Sequence, residues 1–199
     1  KIATKTKDSK WITGKYSRMI GHHLRAKNDC ILVGRGTVDE DNPILNCRLS
    51  GLHNASPDIF ILDTNLNLSL SSKIFKLKKR KIFIFHNCSN FNKTKYKNIR
   101  LIRLNTNAGK LDIKKAIQSI STNGYHRILV EGGSMISTSL LKDDLIDKIF
   151  WFRASKVIGN EGIGAISNLN VKSMNLVKNF KLENSLRVED DIMDIYNRG

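Results

Sequence analysis

Five short runs of β-branched, aliphatic and aromatic residues constrain this chain most: Cys30-Ile-Leu-Val-Gly34, Asp58-Ile-Phe-Ile-Leu62, Lys81-Ile-Phe-Ile-Phe85, Ile99-Arg-Leu-Ile-Arg-Leu104 and Arg127-Ile-Leu-Val-Glu131. Each has the length and composition of a strand. Several are apolar at consecutive positions rather than alternate ones, as in strands covered on both faces of a largely parallel sheet. Parallel neighbours require crossovers, usually helical, and helix signals are present. Residues 13–27 place Tyr16, Ile20 and Leu24 four apart, with Thr13 as the expected N-cap. Residues 112–122 open on Asp112, carry the stripe Ile113, Ala116, Ile117, Ile120, and stop at Asn123-Gly124. A third helix is expected after Gly132-Gly133, running through Leu141. Beyond Asp143 the stretches 145–152, 177–182 and 186–196 read as antiparallel strands, and residues 87–98 as an irregular polar connection. The expected class is α/β: a mixed sheet flanked by helices, parallel in its middle, with antiparallel C-terminal strands.

With 199 residues, one domain spanning residues 1–199 is expected. No apolar run is long enough to span a bilayer, so no membrane partner is expected. The opening residues carry neither an initiating Met nor an apolar signal core, and they read as mid-protein sequence with something upstream of Lys1. Cys30, Cys47 and Cys88 are odd in number and lack any C-x-x-C spacing, which argues against a disulfide framework or a zinc site and for a reducing cytoplasm. Cys30, inside an apolar run, reads as a buried thiol rather than a nucleophile.

The net charge of +16 raises nucleic-acid binding as a function. The distribution weakens it. Basic residues are spread along the chain, and the one dense cluster, residues 73–81, holds Phe75 as its only aromatic and reads as a solvated face.

Three segments can carry chemistry. Ile128-Leu-Val-Glu-Gly-Gly-Ser134 is a strand ending in a carboxylate, then two glycines opening a helix, a geometry in which main-chain amides meet an anion. Taken alone, it is equally a tight turn. Val33-Gly-Arg-Gly-Thr37 followed by Asp39-Glu-Asp-Asn-Pro43 lacks the third glycine of a dinucleotide fingerprint. Thr37 and Asp41 can contact a ribose or nicotinamide, or the segment is an acidic surface turn closed by Pro43. In Ser9-Lys-Trp-Ile-Thr13 the indole of Trp11 can stack on a flat ring, while Arg25 and Arg48 offer forked donors for phosphate or carboxylate. Packing tryptophan and solvated arginines are the plain alternatives. His22 and His23 are adjacent, show no ligand spacing, and read as structural; no metal site is expected.

In order, Ile2-Ala-Thr, Ser9-Lys-Trp-Ile-Thr-Gly14, His23-Leu-Arg-Ala26, Val33-Gly-Arg-Gly-Thr37, Asp41-Asn-Pro43, Arg48, Ile61-Leu-Asp63, Val130-Glu-Gly-Gly133 and the 140–147 stretch resemble the reductase domain of the bifunctional riboflavin-biosynthesis protein RibD. The resemblance covers about residues 1 to 165. It implies a dihydrofolate-reductase-like fold and NADPH-dependent reduction of 5-amino-6-(5-phosphoribosylamino)uracil to the ribitylamino compound. It implies that Ser9, Arg25, Leu45, Arg48 and Glu131 face the substrate, with Glu131 the candidate catalytic group. Trp11, Thr37, Asp41, Thr64, Gly133, Ser134, Met135, Ile136, Ser137, Thr138 and Ser139 would line the NADPH site.

The chain departs from the family pattern in two places: Asp39-Glu40 stands where Leu-Ala is common, and Thr64 where serine is. The family's strand ending in a Leu-Asp-Gly-Lys turn before Ile-Ala is expected upstream, with Lys1 as that turn's lysine, and before it an N-terminal zinc-dependent deaminase. A homodimer is a further expectation. The other functions in view are another pyrimidine or pteridine reductase of the same fold and a basic nucleic-acid-binding domain.

Overall fold

All five apolar runs form strands in the computed structural model, which describes residues 1–89 and 96–199. These form two compact units, residues 22–136 and residues 1–21 with 137–199. Of the expected connection 87–98, residues 90–95 lie outside the described residues.

After α1 (Lys15–Lys27), β1 (Cys30–Gly34) runs directly into a short helix, α2 (Arg35–Asp41). Next come β2 (Asp58–Leu62), β3 (Ile82–His86), β4 (Ile99–Arg103) and a small two-stranded ladder of β5 (Thr106–Asn107) and β6 (Lys110–Leu111). Helix α3 (Ile113–Thr122) then leads to β7 (Ile128–Val130). Five of these strands make one sheet in the order β4-β3-β2-β1-β7, every neighbouring pair parallel.

Side chains alternate faces along a strand, and here both faces are apolar. Ile31, Val33, Ile59, Ile61, Ile82 and Ile84 lie to one side in a cluster with Val38, Leu45, Leu68, Ile74, Phe75 and Ile99. The intervening positions hold an aromatic layer. Phe60 stacks on Phe83 with ring centroids 4.3 Å apart, and Tyr125, just past α3, meets both rings edge-on. Each fully buried strand side chain such as Ile31, Ile59, Phe60 or Phe83 contributes about 1.5–3 kcal/mol of transfer free energy, which is why the runs are continuous rather than alternating.

Helix α3 begins where expected. The Asp112 side chain accepts a hydrogen bond from the Lys115 amide, and Gly124, at φ +88, takes the left-handed turn after the helix end. By contrast, α2 covers Arg35–Asp41, so the acidic segment before Pro43, one reading of which is a surface turn, begins as a short helix. Its apolar anchor is Val38, 1% exposed, and it ends on Asn42 in the left-handed region, a conformation asparagine tolerates.

The other unit contains most of α4 (Ser134–Lys142) and a three-stranded antiparallel sheet, β8 (Lys148–Arg153), β9 (Phe180–Val188) and β10 (Asp191–Arg198), in the order β8-β10-β9. The sequence placed the last break near residues 182–186. The chain instead reverses at Glu189 and Asp190, with Glu189 at φ 56. Most of β9 is exposed, so no alternation marked its true extent. The N-terminal expectation for α1 is also corrected: the helix starts at Lys15, and it is buried Asp191 that accepts from the Gly14 amide (2.7 Å) and the Ser17 hydroxyl (2.5 Å). The Thr13 carbonyl accepts from Arg18 Nη1. Ser17 is the buried residue of α1, while Tyr16 is 48% exposed.

Candidate active site

Strand order sets where a ligand can enter the five-stranded sheet. From β1 the chain moves outward through β2, β3 and β4, then returns to lay β7 on the opposite side of β1. The connections leaving β1 and β7 therefore diverge at the carboxyl ends of these strands, the position where open α/β sheets bind ligands. Gly34-Arg-Gly36 follows one strand and Glu131-Gly-Gly133 the other. At the opposite end the pairing is pinned by Asp29. Its carboxylate accepts from the amides of His126 (3.0 Å) and Arg127 (2.8 Å) and from the Arg127 guanidinium. Those hydrogen bonds, led by the Arg127 amide, pull the Asp29 carboxyl down to about 2.

Just past β7, the Glu131 amide donates to the Leu32 carbonyl and extends the ladder by one residue. Its carboxylate is held by both prongs of Arg25, Nε to Oε1 at 2.7 Å and Nη2 to Oε2 at 2.6 Å. A forked pair of this kind fixes orientation as well as charge. The remaining edge of Arg25 donates through Nη1 to the Asn46 carbonyl at 3.0 Å. That carbonyl also accepts from His22 Nδ1 at 3.0 Å, and His22 Nε2 accepts from Arg48 Nε at 3.2 Å. A continuous chain of contacts thus runs from Glu131 through Arg25, Asn46 and His22 to Arg48. Arg25 is committed on three sides, whereas Arg48 is exposed and engages this network only through Nε.

His22 was read from sequence as structural. It stands three residues before Arg25, so the two share a helix face, and that spacing was the available signal. Burial, with Arg25 and Arg48 nearby, lowers its pKa from the ordinary histidine value. Arg80 was also missed, lost inside the 73–81 cluster read as solvated. Its side chain is buried, and it donates through Nε to the Pro57 carbonyl (2.5 Å) and through Nη1 to the Ile44 carbonyl (2.8 Å). It ties down residues 44 and 57, the stretch that carries Asn46 and Arg48. Burial lowers this guanidinium to about 10.

The remaining expected residues fall into distinct environments. Leu45 has φ +52 and a side chain 4% exposed within the apolar cluster, so only its main chain can meet a ligand. Thr37 is half-buried on α2, Asp41 is exposed at its end, and Thr64 lies half-buried just beyond β2. At the start of α4, a Cβ added to Gly133 would meet nothing within 4 Å, whereas one on Gly132 would come within 3.0 Å of Ile136. Ile136 crowds Gly34 to the same distance. Its side chain packs against both glycines, so its backbone is the part best placed to meet a ligand. Ser134 and the 60%-exposed Met135 open the same helix.

In the other unit, Thr138 is buried and its hydroxyl accepts from the Ser167 amide at 2.7 Å, with Ser137 and Ser139 half-buried beside it. Ser9 is half-buried, and its carbonyl accepts from the Ile12 amide. Trp11 is 63% exposed, carries the Arg18 guanidinium 4.4 Å from its ring centroid, and its carbonyl accepts from Lys156 Nζ. Cys30 is fully buried and pushed up to about 12, as a structural thiol should be. Among the described residues no group of three or more His, Cys, Asp or Glu side chains is placed to hold a metal. No helix among them is long and apolar enough to cross a membrane.

The model of the family described as the RibD C-terminal domain matches residues 1–193. The chain belongs to the RibD C-terminal domain family. Within that family it is 32% identical over 189 residues to the riboflavin biosynthesis protein RibD of Aquifex aeolicus, covering 92% of this chain and 51% of that protein. It is 29% identical over 196 residues to the 5-amino-6-(5-phosphoribosylamino)uracil reductase of Buchnera aphidicola, covering 93% of this chain and 94% of that protein. Among solved structures it superposes on the diaminohydroxyphosphoribosylaminopyrimidine deaminase/5-amino-6-(5-phosphoribosylamino)uracil reductase of Thermotoga maritima with a TM-score of 0.82 at 26% identity, covering all of this chain and 53% of that one. The chain thus spans about half the length of RibD relatives such as the Aquifex protein. Its fold is the dihydrofolate-reductase-like fold of the RibD reductase domains.

Proposed function

We propose that this chain is an NADPH-dependent 5-amino-6-(5-phosphoribosylamino)uracil reductase, converting the ribosyl side chain to ribityl in riboflavin biosynthesis. The observation that carries the reading is the Arg25–Glu131 pair set beside Arg48 at the switch point of the parallel sheet. Opening and reducing the ribose requires a hydride at C1 and a proton at the departing ring oxygen, with sugar and phosphate held still. Glu131 offers free lone pairs to sugar hydroxyls in an orientation that Arg25 fixes. Arg48, exposed and engaged by His22 through Nε, is the anion partner.

NADPH, when bound, supplies the hydride. The fit of this chain to that group rests on Gly133, where open space stands in front of a helix N-terminus, as a dinucleotide phosphate requires. Thr37, Asp41 and Thr64 follow β1 and β2 at the same sheet end. Ser9 for substrate, and Trp11, Ser137, Thr138 and Ser139 for cofactor, keep their assignments by resemblance alone. The reducing cytoplasm, a fused deaminase domain in the complete protein and a homodimer belong to the same proposal.

The test is turnover by the full-length protein. NADPH absorbance should fall on adding the phosphoribosylaminouracil and stay constant with dihydrofolate. Oxidation with dihydrofolate alone, or with neither compound, sinks the assignment.

A further inference from the structure

We infer that His22 is a positioning residue for Arg48: a neutral imidazole, donating through Nδ1 and accepting through Nε2, turns the guanidinium's free edge toward the phosphate of the substrate. The inference deepens the proposed function and rests on it for the identity of that substrate.

The tautomer follows from the partners. The Asn46 carbonyl can only accept, so Nδ1 carries the proton in the 3.0 Å contact. Nε2 then holds the lone pair, and Arg48 Nε, which can only donate, lies 3.2 Å from it. Fixing Nε removes one rotational freedom from a long exposed side chain and leaves both Nη groups for a forked contact with an anion. Asn46 joins this to the rest of the site, because the same carbonyl receives Arg25 Nη1.

Protonation would undo the arrangement. An imidazolium has no lone pair, so Nε2 would become a second donor facing the Arg48 donor. The charged groups acting on the ring are Arg25 on its own helix, Arg48 on the loop after α2, and Glu131 after β7. Burial does most to hold the ring neutral, and the two cations among these three groups add to it. Arg48 is therefore held at neutral pH and released as pH falls through the lowered histidine pKa.

The experiment titrates ribose 5-phosphate, a sugar phosphate probe, into the full-length wild type, His22→Gln and His22→Leu from neutral to acid pH. NADPH affinity and thermal melts serve as controls. Glutamine supplies one donor and one acceptor and does not titrate. His22→Gln should bind the probe near the wild-type level at neutral pH and lose the part of the acid weakening that wild type shows beyond it; the probe's own phosphate titration is common to both. His22→Leu should bind about tenfold more weakly throughout, the loss expected for one charge-assisted contact, with NADPH affinity unchanged. Nitrogen-15 spectra of His22 should show the Nδ1-protonated neutral ring at neutral pH. Equal acid dependence in wild type and His22→Gln, unchanged probe affinity in folded His22→Leu, or an Nε2-protonated ring would each overturn the inference. Absence of turnover with the phosphoribosylaminouracil would instead remove the proposed function, and the probe arm would still decide the role of His22.

Discussion

Two arginines reach the same site with different duties, and the difference is visible in their donors. Arg25 gives Nε and Nη2 to Glu131 and Nη1 to Asn46, so its charge is matched and its geometry fixed. Arg48 retains its outer donors. Arg48→Ala should therefore raise KM for the phosphoribosylaminouracil by about ten- to hundredfold, the equivalent of about 1.5–3 kcal/mol for a hydrogen bond to a charged group, with KM for NADPH unchanged. Arg25→Ala should act differently. It leaves Glu131 without its fork, so kcat should fall along with substrate affinity, by about 2–4 kcal/mol in kcat/KM if the carboxylate is both freed and left unpaired. Steady-state kinetics on the two variants separates the roles; identical effects would count against them.

At the level of elements, the glycines after β7 make opposite predictions from adjacent positions. Gly132→Ala pushes a methyl group to within 3.0 Å of Ile136 Cβ, and overpacking of that kind costs about 1–3 kcal/mol of stability. Gly133 has open space, so Gly133→Val should melt close to wild type while NADPH affinity drops sharply, read by fluorescence titration. Much of this architecture was legible in the sequence. The five strands declared themselves because both sheet faces are apolar, and α3 did so through Asp112 and the Ile113, Ala116, Ile120 stripe. Helix α2 did not, because Val38 is the one buried residue among its seven. Nor did the end of β9, whose exposed positions lack a period-two pattern. Motifs carried the arginines and Glu131, but His22 and Arg80 look like any surface base until the loop of residues 42–57 folds over them. Their partners are main-chain carbonyls of Asn46, Ile44 and Pro57, and no residue type announces a carbonyl.

For the molecule as a whole, acid and salt are the informative variables. Asp29 titrates near 2 when folded, below the ordinary carboxylate value of 3.8. A depressed folded pKa contributes stability that is complete above the unfolded value and lost as pH falls toward the folded one. Urea unfolding should thus show a loss between about pH 4 and 2 that Asp29→Asn reduces, alongside a lower stability of that variant at neutral pH. Salt bears on self-association. Strand β9 is one edge of the antiparallel sheet, nine residues long and mostly exposed, with Leu182 at 56% and Leu186 at 41%. A long edge strand with exposed leucines is a template for pairing unless something covers it, and a second copy of this chain is the proposed cover. Each copy brings a net charge of +16, so two copies repel. Screening within about 10 Å at 0.1 M salt and about 3 Å at 1 M weakens that repulsion while leaving apolar contact intact. Sedimentation should therefore show a dimer that tightens as salt rises. Leu182→Lys with Leu186→Lys should leave a monomer at every salt concentration, and a wild-type monomer that salt does not shift would remove β9 as the interface.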